Sequence, residues 1–444
     1  MMQEILDLIN ENKFSQVRDK LTEMNVVDIA QILEELERDK VLIVFRILPK
    51  DISADVFSYI SREQQAYIIE SITDKEISNI VNELFLDDTI DFIEELPASV
   101  VKKVLKNTDK DKRNFINQIL KYPENSAGSI MTIEFVDLKK EMTIKEALEH
   151  VRKTGVDKET IDTCYVIDGH RKLEGVISIR KLILSDEDEL VKDVMHTNLI
   201  HINTLDDQET AADTFKKYDF LTMPVVDKEK RLVGIITIDD IVDIIEQENT
   251  EDFHKMAGME PSEEEYLKTS PFKLAKHRIV WLLVLMVSAT FTGNIIRRFE
   301  DVLQSVVILT SFIPMLMDTG GNAGSQSSTL IIRSLALGEV KLNDIFKVIR
   351  KELSVSILAG SVLSIVNFLR IYYLEGIAFN VSLTVSITLL FTVILAKLVG
   401  GILPILAKKI KVDPAIMASP LITTIVDASA LILYFSVASW ILNI

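Results

Sequence analysis

Asp413-Pro-Ala-Ile-Met-Ala-Ser419-Pro420-Leu-Ile-Thr423-Thr424-Ile-Val-Asp427-Ala-Ser-Ala-Leu-Ile-Leu433 places one carboxylate inside an apolar run long enough to cross a bilayer. A carboxylate at that depth costs roughly 2.5 to 3.5 kcal/mol and normally faces a bundle interior or a hydrated cavity. Ser419, Thr423 and Asp427 fall at i, i+4 and i+8, with Thr424 one turn below the Asp, so hydroxyls and carboxylate share a helical face. That face is a candidate ion path. The competing reading is an Asp that only hydrogen-bonds helices together, and it is weakened because this run holds no basic residue; Lys397, in the preceding run, is the one intramembrane cation placed to pair with it.

Working outward, five runs reach the length of about 20 residues that a membrane helix needs: 279–296, 302–327, 353–374, 377–406 and 415–442. Lys273, Lys276 and Arg278 precede the first, Lys341, Lys347, Arg350 and Lys351 separate the second from the third, and Lys408, Lys409 and Lys411 separate the fourth from the fifth. Basic residues at alternate ends place everything before the first run in the cytoplasm and the C-terminus outside the cell membrane. An odd number of spans has no internal halves, so a two-fold homodimer sharing one pathway is the expected assembly.

The second run reads Pro314-Met-Leu-Met-Asp318-Thr-Gly320-Gly321-Asn322-Ala-Gly324-Ser-Gln326. Asp318, Asn322 and Gln326 repeat at i, i+4 and i+8 as a polar stripe, Gly320 and Gly324 allow close helix approach, and Pro314 invites a kink. Asp318, Asn322, Gln326 and Thr424 are therefore candidate pore-lining residues. A path of carboxylates and amides without His, Cys or Met clusters suits hard cations with oxygen ligands, Mg2+ above all.

The 444 residues carry 49 Lys+Arg against 67 Asp+Glu, a formal charge of -18, unevenly spread. Residues 1–270 hold 58 acidic and 34 basic side chains, and residues 271–444 hold 9 and 15. So acidic a front half repels phosphate backbones, which disfavours nucleic acid as a partner and makes divalent cations plausible ligands. One cysteine, Cys164, rules out an intramolecular disulfide framework and a cysteine-cluster zinc site. HExxH and GxxxxGK[ST] are missing, so neither a zinc protease nor an ATP-driven pump is expected. The acidic, amphipathic residues 1–12 do not read as a cleaved signal peptide.

Between Ser129 and Ile245 a unit of roughly 65 residues occurs twice. Ser129-Ile-Met131-Thr, Cys164-Tyr-Val-Ile-Asp168 and Leu173-Glu-Gly175-Val-Ile-Ser178-Ile-Arg-Lys181 match Val194-Met195, Met223-Pro-Val-Val-Asp227 and Leu232-Val-Gly234-Ile-Ile-Thr237-Ile-Asp-Asp240. Short β-rich runs alternate with amphipathic helices, as in two β-α-β-β-α units. Ahead of them Asp28, Asp51 and Asp74 recur every 23 residues near the starts of amphipathic runs, which predicts an α-helical superhelix of stacked helix pairs. Asp87, Asp88, Asp91, Glu94 and Glu95 then cluster. From Leu232 to His254 there is no Lys or Arg, while Asp239, Asp240, Asp243, Glu246, Glu248, Glu251 and Asp252 all occur. Cations bridging this segment to a neighbouring acidic face would relieve its self-repulsion, which makes it a candidate sensor.

The doubled unit resembles a tandem pair of CBS domains, a module that commonly binds adenine nucleotides. In that family a Gly-x-x-Ser/Thr-x-x-Asp ending puts a hydroxyl near phosphate and a carboxylate near ribose; Gly234, Thr237 and Asp240 fit, whereas the first copy ends in Lys181. One ATP site at Thr237 and Asp240, or none, is the expectation.

The order of parts, a helical N-domain (1–128), a CBS pair (129–245), a connecting helix (246–272) and a five-helix membrane domain (273–444), resembles the MgtE family of magnesium channels. The resemblance is sharpest at Pro314, Gly321-Asn322-Ala-Gly324-Ser-Gln326, Arg333, Asp413-Pro414, Pro420-Leu421 and Asp427. It implies a homodimer whose Asp427 side chains bind hydrated Mg2+ on the axis, closed by intracellular Mg2+. By position it assigns Asp88 and Asp91 of the N-domain, Asp243, Glu246 and Glu251 of the connecting segment, and Thr423 and Asp413 as further metal-binding residues. The alternatives are a membrane-anchored CBS-type sensor of nucleotide or Mg2+ that does not transport, and a transporter of another divalent cation such as Co2+ or Mn2+. Enzymatic activity is not expected.

Overall fold

The computed structural model describes residues 2–443 except Glu95, residues 263–265, Lys268 and Ala418, and leaves aside the side chains of Asp51 and Ser419. Of the residues singled out above, Glu95 and the side chains of Asp51 and Ser419 therefore lie outside the described residues. The chain divides into two compact units, Met1–Ile245 and Glu246–Ile444.

The first unit opens with ten short helices: α1 (Met2–Asn10), α2 (Phe14–Thr22), α3 (Val26–Glu35), α4 (Arg38–Ile47), α5 (Lys50–Tyr59), α6 (Arg62–Ser71), α7 (Asp74–Glu83), α8 (Leu86–Glu94), α9 (Ala98–Asn107) and α10 (Lys110–Ile119). From α3 on, alternate helices start 24 residues apart, one more than the spacing of Asp28, Asp51 and Asp74, because the acid slides one position earlier in each successive first turn. An acid anywhere in that turn complements the helix dipole, so the drift costs little. Odd helices pack on one another, α3 on α5, α5 on α7 and α7 on α9, through Ile29, Ile32, Phe57, Ile77 and Val81. Thr73 and Glu76 form a reciprocal cap at the start of α7.

The two repeats follow. In the first, β1 (Asp137–Leu138) pairs parallel with β2 (Thr163–Ile167), which pairs antiparallel with β3 (Leu173–Ser178); α11 (Ile144–Thr154) and α12 (Ile179–Leu184) complete it. After α13 (Val191–Val194) the second repeats the topology with β4 (Ile202–Asn203), α14 (Gln208–Tyr218), β5 (Thr222–Val226), β6 (Leu232–Thr237) and α15 (Ile238–Met256). The copies interlock: Thr132 bridges to Ile235 in β6, and His196 bridges to Val176 in β3. Glycine makes the exchange fit. A Cβ on Gly175 would lie 2.4 Å from Met195 Sδ, and one on Gly234 would lie 2.6 Å from the Thr132 carbonyl oxygen.

The second unit contains α16 (Pro271–Arg298), α17 (Glu300–Ser305), α18 (Ile313–Ala336), α19 (Ile345–Leu369), α20 (Phe379–Lys409) and α21 (Ser419–Leu442). Among the described residues, four segments are long and apolar enough to cross a membrane, Pro271–Arg298, Leu342–Leu374, Phe379–Lys409 and Pro414–Leu442. With 24 residues α18 is about 36 Å long, enough to span, but its amides, glycines and hydroxyls make it more polar. The second run differs from its expected bounds of 302–327. A short helix and a tight 3-10 turn (Val307–Phe312) come first, and Pro314 sits in the first turn of α18, where its missing N–H costs nothing, so it starts the helix instead of kinking it.

Candidate cation sites

In the membrane unit the glycines of α18 decide what stands next to Asp427. A Cβ on Gly321 would fall 2.4 Å from Thr423 Cγ2, one on Gly324 2.6 Å from Ile422 Cγ2, and one on Gly320 2.9 Å from Val426 Cγ1. The backbone of α18 thus rests directly on the turn of α21 that leads into Asp427. Asp318, Asn322 and Gln326 point away from this packing and are exposed, whereas Asp427, Thr423 and Thr424 are half-buried. Asp318 is within electrostatic reach of Asp427. Oδ1 of Asp427 is buried without a hydrogen-bond partner. Thr423 and Thr424 both donate to the Pro420 carbonyl, at 3.3 and 3.0 Å, so their hydroxyl hydrogens are committed. Lys397 does not pair with Asp427 as expected. Its ammonium instead donates to Ser327 Oγ, which donates to Glu352.

In the first unit, helix α8 brings Asp87, Asp88 and Asp91 against Glu134 and Glu159 of the first repeat and Asp239 and Asp240 at the start of α15. Ligand oxygens of Asp87, Glu134 and Glu159 all lie within 4.8 Å of one another. Glu134 also accepts from the Leu86 N–H at 3.0 Å and so caps α8. Loss of water, then crowding, pushes up the carboxyls of Asp87, Asp88, Asp91, Glu159 and Asp240. Burial, then Asp240 and Glu159, raise Asp87 well above the ordinary range. Burial, then Asp91 and Asp239, raise Asp88 to about 6 against the pull of Lys112. Burial, then Asp239 and Asp88, raise Glu159 to about 7. Asp91 keeps part of its side chain in solvent yet is raised to about 6, first by lost hydration, then by Glu94, with Arg62 opposing and exposed Asp243 adding repulsion. Such a field of carboxylates attracts a divalent cation, which would replace mutual repulsion with ligation.

The two expected nucleotide residues join this acidic group. Thr237 Oγ1 donates to Asp240 at 2.9 Å, and burial, then Asp239, push the Asp240 carboxyl up.

Helix α15 is continuous, so the last helix of the repeat pair and the connecting segment are one element. Glu246 is exposed on it. Near its end Lys255 donates to Asp413 at 2.6 Å and pairs also with Glu251. Two residues assigned to a metal therefore share an ammonium already present in the chain. Asp252 beside them is raised to about 6 by burial, then by Asp413. Gly258 follows the end of α15 in the left-handed conformation (φ +67°), with its Cβ position 2.9 Å from Pro420 Cγ.

Glu134, Glu159, Glu352 and Lys255 escaped the sequence reading. Glu134 and Glu159 lie between elements, outside the acid-rich runs of 87–95 and 239–252, and only folding brings them to α8. Glu352 immediately precedes the third apolar run and reads as a flank, yet it is buried; its available signal was its place within a turn of the Lys351 boundary.

Comparison with known proteins assigns all these parts. The family described as "MgtE: Divalent cation transporter" matches residues 313–437, the MgtE intracellular N domain matches 24–125, and the CBS domain matches 127–187 and 191–247. The magnesium transporter MgtE of Thermus thermophilus is 36% identical over 441 residues, covering 98% of this chain and 97% of that protein. That of Bacillus subtilis is 32% identical over 435 residues, covering 98% and 96%. Among solved structures, the cytosolic domain of the Mg2+ channel MgtE in complex with ATP is similar at 33% identity and a TM-score of 0.53, covering 55% of this chain and all of that one. With relatives this similar from end to end, the chain belongs to the MgtE family of magnesium transporters.

Proposed function

We propose that this protein is a Mg2+ channel of the cell membrane, a homodimer in which Asp427 and Thr423 of each protomer hold hydrated Mg2+ while Asp318, Asn322, Gln326 and Thr424 line the approach. The observation that carries the reading is the exposed stripe of Asp318, Asn322 and Gln326 beside an Asp427 whose Oδ1 has no partner. A single chain leaves this polar face open, and a second copy would enclose it away from lipid. The 98% coverage of this chain by named magnesium transporters supports Mg2+ as cargo. Mg2+ keeps most of its water, so one carboxylate per protomer with carbonyls and hydroxyls suffices. Entry is downhill, driven by about 2.3 kcal/mol per charge per 100 mV.

Residues 1–128, 129–245, 246–272 and 273–444 act as sensor, nucleotide-binding pair, connector and pore, with the first two cytoplasmic and the C-terminus outside. Internal Mg2+ closes the pore by binding Asp88, Asp91 and Asp243, with Glu246, Glu251 and Asp413 contributing at the connecting helix. ATP binds the CBS pair at Thr237 and Asp240, a reading supported by similarity to the ATP-bound cytosolic domain. The test is divalent flux into proteoliposomes at set internal Mg2+, with Mg2+, Co2+ and Mn2+ compared. Mg2+ flux that stops at high internal Mg2+ and is lost in Asp427→Ala supports the channel. No flux of any ion supports the non-transporting sensor.

A further inference from the structure

Three helices of the membrane unit meet at a buried polar chain that the proposed path does not use. Glu352 on α19 is 8% exposed, Lys397 on α20 7% and Ser327 on α18 1%. Ser327 Oγ donates to Glu352 Oε2 at 2.6 Å, and Lys397 Nζ donates to Ser327 Oγ at 3.4 Å. Either charge alone would be severely penalised at this depth; together, through the hydroxyl, they cancel. The backbones close tightly around them. A Cβ on Gly400 would lie 2.2 Å from the Gly324 carbonyl oxygen, and one on Gly401 would lie 3.1 Å from Glu352 Cγ. Ser327 comes nine residues after Asp318, about half a turn away at 100° per residue, so the chain grips α18 from the side opposite Asp318.

We propose that Glu352, Ser327 and Lys397 form a charge-balanced brace that positions the Asp318 face of α18 beside Asp427, with Lys397 cancelling Glu352 so that this carboxylate does not become a second stop for the cation. The proposal rests on the conduction path inferred above. The three are positioning residues, since they act on the path through α18. Lys397→Met would leave a bare carboxylate one helix diameter behind the path and hold cations there. Glu352→Gln would leave a bare ammonium that repels them. The double variant removes both charges at similar volume.

The experiment measures Mg2+ flux per folded protein against external Mg2+ for full-length variants in proteoliposomes, with thermal midpoints in detergent alongside. Lys397→Met and Glu352→Gln are each expected to lose about tenfold or more in maximal flux, whereas the double variant returns to within about threefold of wild type. Half-saturating Mg2+ falls in Lys397→Met, rises in Glu352→Gln and is restored in the double. Single variants that conduct like wild type, or lower midpoints with unmoved half-saturation, overturn the proposal. Should the singles fail to fold, Lys397→Arg and the double variant decide it: flux from both supports the brace, and silence from both beside an active wild type overturns it. A silent wild type would instead refute the transport reading, and the brace with it.

Discussion

Taking divalent cations away from residues 1–245 should make that unit lose stability as pH rises, the reverse of ordinary acid denaturation. Asp88 and Glu159 of its acidic cluster hold their protons in the fold at pH values where the unfolded chain is already ionised. Asp88 moves from an ordinary 3.8 to about 6, and Glu159 from 4.5 to about 7. At 1.36 kcal/mol per pH unit each change is about 3 kcal/mol. Asp88 is one of the charges acting on Glu159, so adding the two counts one repulsion twice, and about 3 kcal/mol is the safer figure for the pair. Folded carboxyls that hold protons longer than unfolded ones contribute stability below about pH 4, and that contribution is lost as pH climbs through 6 and 7. Carboxylates held down by partners, such as Asp74 beside Lys106, titrate lower and leave this window clear. For a unit of this size about 3 kcal/mol corresponds to about 6 to 12 °C of melting midpoint. Calorimetry in EDTA at pH 5, 6, 7 and 8 reads it, repeated with saturating Mg2+. The midpoint should fall toward pH 8 in EDTA and hold level with Mg2+, and Asp88→Asn should flatten the EDTA curve. A midpoint that rises with pH in EDTA, or an equal Mg2+ gain at pH 5 and pH 8, would refute the reasoning.

Other perturbations test the remaining sites. Asp427→Ala should abolish at least nine-tenths of Mg2+ flux, by roughly the logic of a lost intramembrane ligand; retained flux would remove Asp427 from the path. Lys255→Met takes the competing ammonium from Glu251 and Asp413, so closure should require about threefold to tenfold less internal Mg2+, read as the half-inhibiting concentration. Gly400→Ala pushes a methyl group to within 2.2 Å of a backbone oxygen and should cost about 1 to 3 kcal/mol, seen as a lower melting midpoint in detergent. Thr237→Val removes the hydroxyl from Asp240 and should weaken ATP binding about tenfold by titration calorimetry, and unchanged binding would place nucleotide elsewhere.

Architecture was legible because its signals are periodic. Apolar runs of membrane length, a doubled β-α-β-β-α pattern and acids spaced by helix pairs survive in one dimension. The polar stripe of α18 was legible for the same reason, since i, i+4, i+8 is a helical face. Partners were not. Lys397 was the one intramembrane cation open to pairing with Asp427, and which helix faces which is decided by Gly324, Gly400 and Gly401, whose close contacts bring Glu352 to Ser327. Glu134 and Glu159 were equally hidden, being remote from α8 in sequence. Lys255 was overlooked because the acid run before it drew attention, although its position four residues after Glu251 places both on one helical face.

The exchange of bridging segments between the two CBS copies bears on how this chain tolerates truncation. Residues around Thr132 cover the open side of β6, and residues around His196 cover that of β3. Excising either copy would strip a neighbour of its edge cover and empty the hollow over Gly175 or Gly234, leaving unpaired amides and carbonyls free to recruit another molecule. A half-module made this way should precipitate or dimerise through its bared rim, so the tandem is the smallest piece of this region that can be expressed cleanly.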